Sequence, residues 1–173
     1  MSAIMPPINF QQWIDEHRDA LKPPVCNKQI YPEGDFIVMV VGGPNVRKDY
    51  HYNEGPELFY QLEGEMLLKT MQDGEPVDYS IKAGEMFLLP AKVYHSPNRF
   101  ENSVGLVVEQ KRKSGEKDGL LWFCGECHTK LYDEYFELKN IEKDLPPVFE
   151  RFFASEENRT CSHCNSVMPV PAK

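Results

Sequence analysis

From Lys28 to Arg112 the chain is a succession of short apolar runs, each cut off by turn residues. DFIVMVVGG, LFYQLEG, EMLLKTMQDG, VDYSIKAG, EMFLLPA and SVGLVVEQKR follow one another, with breaks at Glu33-Gly34, Gly42-Gly43-Pro44, Glu63-Gly64, Asp73-Gly74, Ala83-Gly84 and Pro97-Asn98. Short strands at regular spacing with glycine-containing turns predict an antiparallel sandwich or barrel. DFIVMVVGG and EMFLLP are nearly all apolar, as strands facing a closed interior would be, and such barrels can hold a small ligand between their sheets.

The flanks read differently. Asn9 is placed to cap a short helix, FQQWIDEHRDALK, with Phe10, Trp13, Ile14 and Leu21 on its apolar side and Pro23-Pro24 at its end. His17 on that helix is expected at the surface. After Lys113 a polar stretch, SGEKDG, reads as a linker, and DLPPVFERFFASEEN reads as a helix beginning at the prolines, with Val148, Phe149, Phe152 and Phe153 inward. The expected division is therefore residues 1–113, a barrel with an N-terminal helix, and residues 114–173, a small extension.

Bulk properties narrow the function classes. With 173 residues and a hydrophobic fraction of 41%, the chain can build one substantial core. A net charge of −8 argues against nucleic acid or an acidic membrane surface as partner, and an acidic substrate would need local arginines. No apolar run approaches the ~20 residues that cross a bilayer. The N-terminus lacks the basic start and apolar core of a signal peptide, so the expected location is cytoplasmic.

Candidate chemistry lies in two constellations. The stretch GPNVRKDYHYNEGPELFYQLEG, from Gly43 to Gly64, holds His51 and Glu57; GEMFLLPAKVYHSPNR, from Gly84 to Arg99, holds His95. Two imidazoles and one carboxylate form the ligand set of non-haem Fe(II) sites that keep coordination positions open for oxygen chemistry, although Mn, Ni or Zn fits the same donors. Arg47 and Arg99 each lie four residues from a proposed ligand and are suited to grip a carboxylate with paired hydrogen bonds. Glu109, inside the apolar run VGLVVEQ, is expected to point inward as an acceptor, which requires a donor partner. The second constellation is Cys124-x2-Cys127 with Cys161-x2-Cys164, four thiolates suited to a tetrahedral structural zinc or iron. His128 and His163 within it are expected not to be ligands, and Cys26 stands apart.

The spacing Gly43-x5-Asp49-x-His51-x5-Glu57-x6-Gly64 resembles the first cupin motif, and Gly84-x5-Pro90-x4-His95-x3-Arg99 resembles the second. The resemblance implies an all-β-dominated chain: a cupin double-stranded β-helix (jelly-roll) barrel, here with a short N-terminal helix and a small metal-stapled C-terminal extension. Asp49 stands where many cupins have a first metal-binding His and receives no ligand role. LKPPV, VGGPNVRKDYHYNEGPELFYQ, LLPAKVYHSPNR, VGLVVEQ and the two CxxC pairs together resemble the 3-hydroxyanthranilate 3,4-dioxygenase family, from the first helix to Cys164. That resemblance implies Fe(II) on His51, Glu57 and His95, and the substrate carboxylate on Arg47 and Arg99. It implies Glu109 as acceptor for the substrate's amino or hydroxyl group. The small aromatic substrate would react with O2 to give a ring-opened semialdehyde, the precursor of quinolinate on the kynurenine route to pyridine nucleotides. It further implies a rubredoxin-like iron, or zinc, on Cys124, Cys127, Cys161 and Cys164, and a homodimer, for which the N-terminal helix and first strand could pack on a neighbour. A cupin isomerase or epimerase that consumes no oxygen, and a cupin that only binds, remain open readings of the same residues.

Overall fold

The computed structural model describes residues 4–171. Helix α1 (Phe10–Glu16) opens the described chain, and strands β1 (Asn27–Gln29), β2 (Phe36–Gly42), β3 (Asp49–Tyr52) and β4 (Glu57–Glu63) follow. Next come β5 (Glu65–Gln72), β6 (Glu75–Lys82), β7 (Met86–Leu89), β8 (Tyr94–Arg99) and β9 (Val104–Gln110). The chain continues with β10 (Asp118–Phe123), β11 (Lys130–Phe136), α2 (Ile141–Ala154) and α3 (Glu156–Arg159). The strands form a five-stranded sheet, β1-β2-β9-β4-β7, and a six-stranded sheet, β11-β10-β3-β8-β5-β6. Neighbouring strands run antiparallel throughout, as in a jelly roll.

Side-chain alternation explains how the sheets close on one another. In β4, Glu57, Phe59 and Gln61 are buried while Leu58 and Tyr60 are partly exposed; in β5, Met66, Leu68 and Thr70 are buried in the same two-residue period. Phe59, Leu89 and Val107 from one sheet meet Met66, Leu68 and Ile81 from the other, so the main core lies between the sheets. Gly64, which joins β4 to β5, sits at φ +66°, where a β-carbon would be strained. A motif glycine is thus a turn requirement.

Two further cores attach the flanks. Ile14 and Leu21 pack with Ile30, Val40 and Val104 on the outer face of the five-stranded sheet. The apolar face of α1 therefore packs on its own chain. The helix stops earlier than expected. It ends at Glu16 because the His17 ring stacks on Trp13 and its Nδ1–H donates to the Trp13 carbonyl at 2.7 Å; a 3-10 turn, Arg18–Leu21, takes over. His17 is accordingly half-buried.

At the other end, Leu120 and Trp122 of β10 pack against Val148 and Phe152 of α2, and the Trp122 and Phe152 rings stack at 4.2 Å. Burying each of these aromatics contributes about 2–3 kcal/mol. Helix α2 begins at Ile141, not at the prolines, because the Asn140 side chain caps the Lys143 amide and the Asn140 carbonyl accepts from Asp144. Pro146 and Pro147 lie inside it.

The polar SGEKDG stretch leads from β9 into β10, its Asp118 and Gly119 opening that strand, and β10 pairs directly with β3. One sheet therefore runs on across the boundary at residue 113. This continuity matters at the site, because β3 carries His51.

Candidate metal centre and substrate pocket

His51 on β3 and His95 on β8 are cross-strand partners in one sheet, and Glu57 begins β4 in the facing sheet. Antiparallel pairing of two histidines on their inward faces, with a carboxylate opposite, brings three donor atoms within 4.8 Å of one another. His95 Nε2 lies 3.3 Å and His51 Nδ1 3.7 Å from Glu57 Oε1. Cis ligands about 2.1 Å from one metal are roughly 3 Å apart, so small rotations suffice to close the set.

The remote ring nitrogens of both imidazoles face acceptors, which leaves the near nitrogens free toward Glu57. His95 Nδ1–H donates to the Val93 carbonyl at 2.9 Å, which leaves Nε2 with its lone pair toward Glu57. His51 Nε2 lies 2.6 Å from the carboxylate of Asp118, leaving Nδ1 for the centre. An imidazole bonded behind to a carbonyl or carboxylate has its tautomer and orientation fixed for a metal in front. The donor set and its backing thus fit a divalent metal.

Charge around the triad is strongly coupled. Burial opposes ionisation of Glu57, but the adjacent His95 and His51 outweigh it and hold its carboxyl below the usual range. Burial would lower His95, yet Glu57 raises it; burial dominates at His51 and lowers it. Burial, with Glu57 beside it, pushes the Glu109 carboxyl up to about 7 against the pull of Arg112. Glu57 and Glu109 are cross-strand neighbours, and Asn53 Nδ2 donates to both, at 3.2 and 2.9 Å.

The expected arginines take up two different states. Arg47 pairs with Asp49 through Nε at 3.1 Å and through Nη2, which accounts for Asp49 as a counter-ion to an arginine. Arg99, 4% exposed, has no carboxylate partner among the described residues. Its Nη1 touches the Met66 sulfur at 3.0 Å and its Nε is unsatisfied. Burial and the neighbouring Arg47 lower it to about 10. A buried guanidinium without an anion is a costly arrangement unless an anion comes to it.

Three residues at this site had no place in the sequence expectations: Asn53, Arg112 and Asp118. Asp118 opens an apolar strand, GLLWF, directly after the polar turn, and a lone acid at that position was the available signal.

The four cysteines converge, with Cys124–Cys164, Cys127–Cys161 and Cys127–Cys164 sulfur separations each 3.5 Å. Two matched knuckles bring them there. Cys124 N donates to Thr129 O and His128 N to Cys124 O; Cys161 N donates to Ser166 O and Asn165 N to Cys161 O. His128 and Asn165 occupy corresponding positions at φ +60° and +63°. His128 is thus a turn residue and His163 is exposed. Burial opposes thiolate formation at Cys124, but hydrogen bonds from Ser166 and the Cys127 and Glu126 amides bring it down to about 6.

Fold and site together define the class: a two-sheet antiparallel jelly-roll barrel with a two-histidine, one-carboxylate centre and a separate four-cysteine cluster. The family model of 3-hydroxyanthranilic acid dioxygenase matches residues 1–153, and the chain belongs to that family. A protein of Xanthomonas euvesicatoria pv. vesicatoria (strain 85-10) named 3-hydroxyanthranilate 3,4-dioxygenase is 58% identical over 170 residues, covering 98% of this chain and 96% of the relative. One of the same name from Ruegeria pomeroyi is 49% identical over 162 residues, covering 93% and 90%. A solved cupin-2 domain protein from Shewanella frigidimarina, 21% identical, covers 60% of this chain and 94% of its own, with a TM-score of 0.47.

Proposed function

We propose that this chain is an Fe(II)-dependent ring-cleaving dioxygenase that converts 3-hydroxyanthranilate and O2 to 2-amino-3-carboxymuconate 6-semialdehyde, with both oxygen atoms retained in the product. The observation that carries this reading is a buried Arg99 without a carboxylate partner among the described residues, on the same strand as His95 and within the field of Glu57. A small aromatic acid with vicinal oxygen and nitrogen donors satisfies both Arg99 and a metal on the triad.

Fe(II) on His51, Glu57 and His95 would supply open positions for the substrate's donor pair and O2, and would pass electrons between them. The chain's own residues do the rest. Arg99, with Arg47 beside it, pairs with the substrate carboxylate and fixes the ring's orientation. Glu109, its carboxyl near 7, accepts the proton that the phenol or amine releases on binding. Phe59 and Val107 wall the barrel side and keep water from the ring.

The four-cysteine cluster holds an iron, or a zinc, that staples β10 to the C-terminal segment. Residues 1–113 act as the catalytic barrel and 114–173 as its stapled extension. The working form is a cytoplasmic homodimer. Supporting the dimer, Phe36, Met86 and Leu88 are each at least half exposed on the five-stranded sheet, an apolar surface suited to a second copy. No described helix is long and apolar enough to cross a membrane.

The test is reconstitution with Fe(II) without oxygen, then 3-hydroxyanthranilate in air, following O2 uptake and the ultraviolet absorbance of the opened product. One O2 per substrate, lost in His51→Ala and His95→Ala, is the expected result. No uptake by an Fe(II)-loaded chain would remove the substrate and return the cupin isomerase and binding-only readings.

A further inference from the structure

Behind the triad, largely buried charged side chains form a continuous path of hydrogen bonds that ends in an ion pair. Asp118 is wholly buried and receives His51 Nε2 at 2.6 Å. Arg112 forks onto the same carboxylate, with Nε 2.8 Å from Oδ1 and Nη2 2.6 Å from Oδ2. Its third group, Nη1, reaches Glu109 Oε2 at 2.9 Å. One guanidinium therefore spans the partner of a triad histidine and the carboxylate expected over the substrate.

The chemistry of each group fixes the direction of these bonds. A carboxylate held by two guanidinium N–H groups is an acceptor, so the proton shared with His51 sits on Nε2. A neutral imidazole then has its only lone pair on Nδ1, the nitrogen nearer Glu57. Turning the ring over would break the bond to Asp118 and leave a buried carboxylate short of a donor. Arginine is needed for the span, since its planar fork serves two carboxylates at once where a lysine ammonium serves one direction at a time.

We propose that Asp118 and Arg112 are positioning residues of the metal centre. Asp118, clamped by Arg112, sets the His51 ring so that Nδ1 is the metal donor, and Arg112 ties that setting to the Glu109 carboxylate. The inference rests on His51, Glu57 and His95 being the metal site.

Mn(II) prefers oxygen and nitrogen donors to thiolates, so its binding reports the triad apart from the cysteines. The experiment titrates the chain with Mn(II), following the free ion by electron paramagnetic resonance, for the unaltered chain, Asp118→Asn, Arg112→Lys and His51→Ala. Asp118→Asn is expected to weaken Mn(II) binding about 10–100-fold at unchanged near-ultraviolet circular dichroism. Arg112→Lys is expected to weaken it in the same direction and also to raise KM for 3-hydroxyanthranilate, because Glu109 loses its clamp. Where Asp118→Asn fails to fold, Arg112→Lys decides alone. A folded variant of either kind that holds Mn(II) within about twofold of the parent, a change far below that range, overturns the inference. Mn(II) binding by folded His51→Ala equal to that of the unaltered chain would overturn the metal-site reading and this inference with it.

Discussion

Arg99 sends Nη1 to the thioether of Met66 at 3.0 Å, while its Nε meets no acceptor among the described residues. A thioether is a weak acceptor and a poor counter-ion. Arg99 is therefore a buried cation that no described carboxylate compensates. Arg99→Met should lower kcat/KM for 3-hydroxyanthranilate by about 100-fold or more, the usual scale for truncating one partner of a buried charge pair. It should also raise the thermal midpoint measured without substrate, since removing an unpaired buried charge relieves its desolvation cost. A lower midpoint together with unchanged kinetics would show that Arg99 is a structural cation.

The turn after α1 is tied to β4 by Arg18, whose Nη1 and Nη2 meet the Glu63 carboxylate at 3.0 and 2.8 Å while Nη2 also meets Asp15 at 2.7 Å. The Arg18 hydrogen bond holds the Glu63 carboxyl below its ordinary 4.5. A depressed folded value means stability that is present above about 4.5 and lost as pH falls through the lower folded value. Both side chains are more than a third exposed, so screening limits the pair to ~1 kcal/mol at most. Glu63→Gln should thus lower the thermal midpoint slightly at pH 7, and the gap to the unaltered chain should close as pH drops below about 4.5. A gap that persists unchanged in acid would mean that packing, not charge, is lost.

Cys124 begins the loop that follows β10, only two residues beyond Trp122, whose ring stacks on Phe152 of α2. Cys124→Ser removes one of four thiolates and should release the cluster's metal and loosen the segment after β10. Trp122 fluorescence should report this as an earlier, separate transition on heating. Ring cleavage should survive, because Asp118 lies at the opposite end of β10, bonded through its side chain to His51, and that end of the strand is held to β3 by the Gly119–Tyr52 and Leu120–His51 pairs. Complete loss of turnover in a folded Cys124→Ser protein would contradict this.

What could be read in the sequence follows from how local each signal is. The strand texture and the spacing around His51, Glu57 and His95 are local, and the structure brings those residues together as expected. Asp118 lies 67 residues from His51 in the chain, inside a stretch whose Gly, Lys and Glu content reads as solvent-exposed linker. Only the register of β10 on β3 turns it into a buried partner. Arg112 sits in a run of basic residues, and nothing local distinguishes it from Lys111 and Lys113. The start of α2 was likewise hidden, because its prolines are the strongest local signal while the Asn140 cap that nucleates the helix lies upstream.

Gly105 on β9 gives the most selective test of the pocket. A β-carbon there would stand 2.8 Å from Gln61 Oε1 and 3.0 Å from Arg99 Nη1, both closer than ordinary contact. Gln61 is held by its bond to the Glu63 carbonyl at 2.8 Å, so the guanidinium is the group with room to move. Gly105→Ala should displace Arg99 by a fraction of an ångström and cost about tenfold or more in kcat/KM, since even a 1 Å misplacement can cost ~100-fold. The loss should fall on KM, with the Fe(II) content of the triad unchanged, because none of His51, Glu57 and His95 is among the atoms that β-carbon approaches. Gly125→Ala is the control: its β-carbon meets nothing within 4 Å and should leave the kinetics as they were. Equal effects from both substitutions would mean that the response is general destabilisation. An effect confined to Gly105→Ala would tie the substrate's affinity to the position of the Arg99 guanidinium.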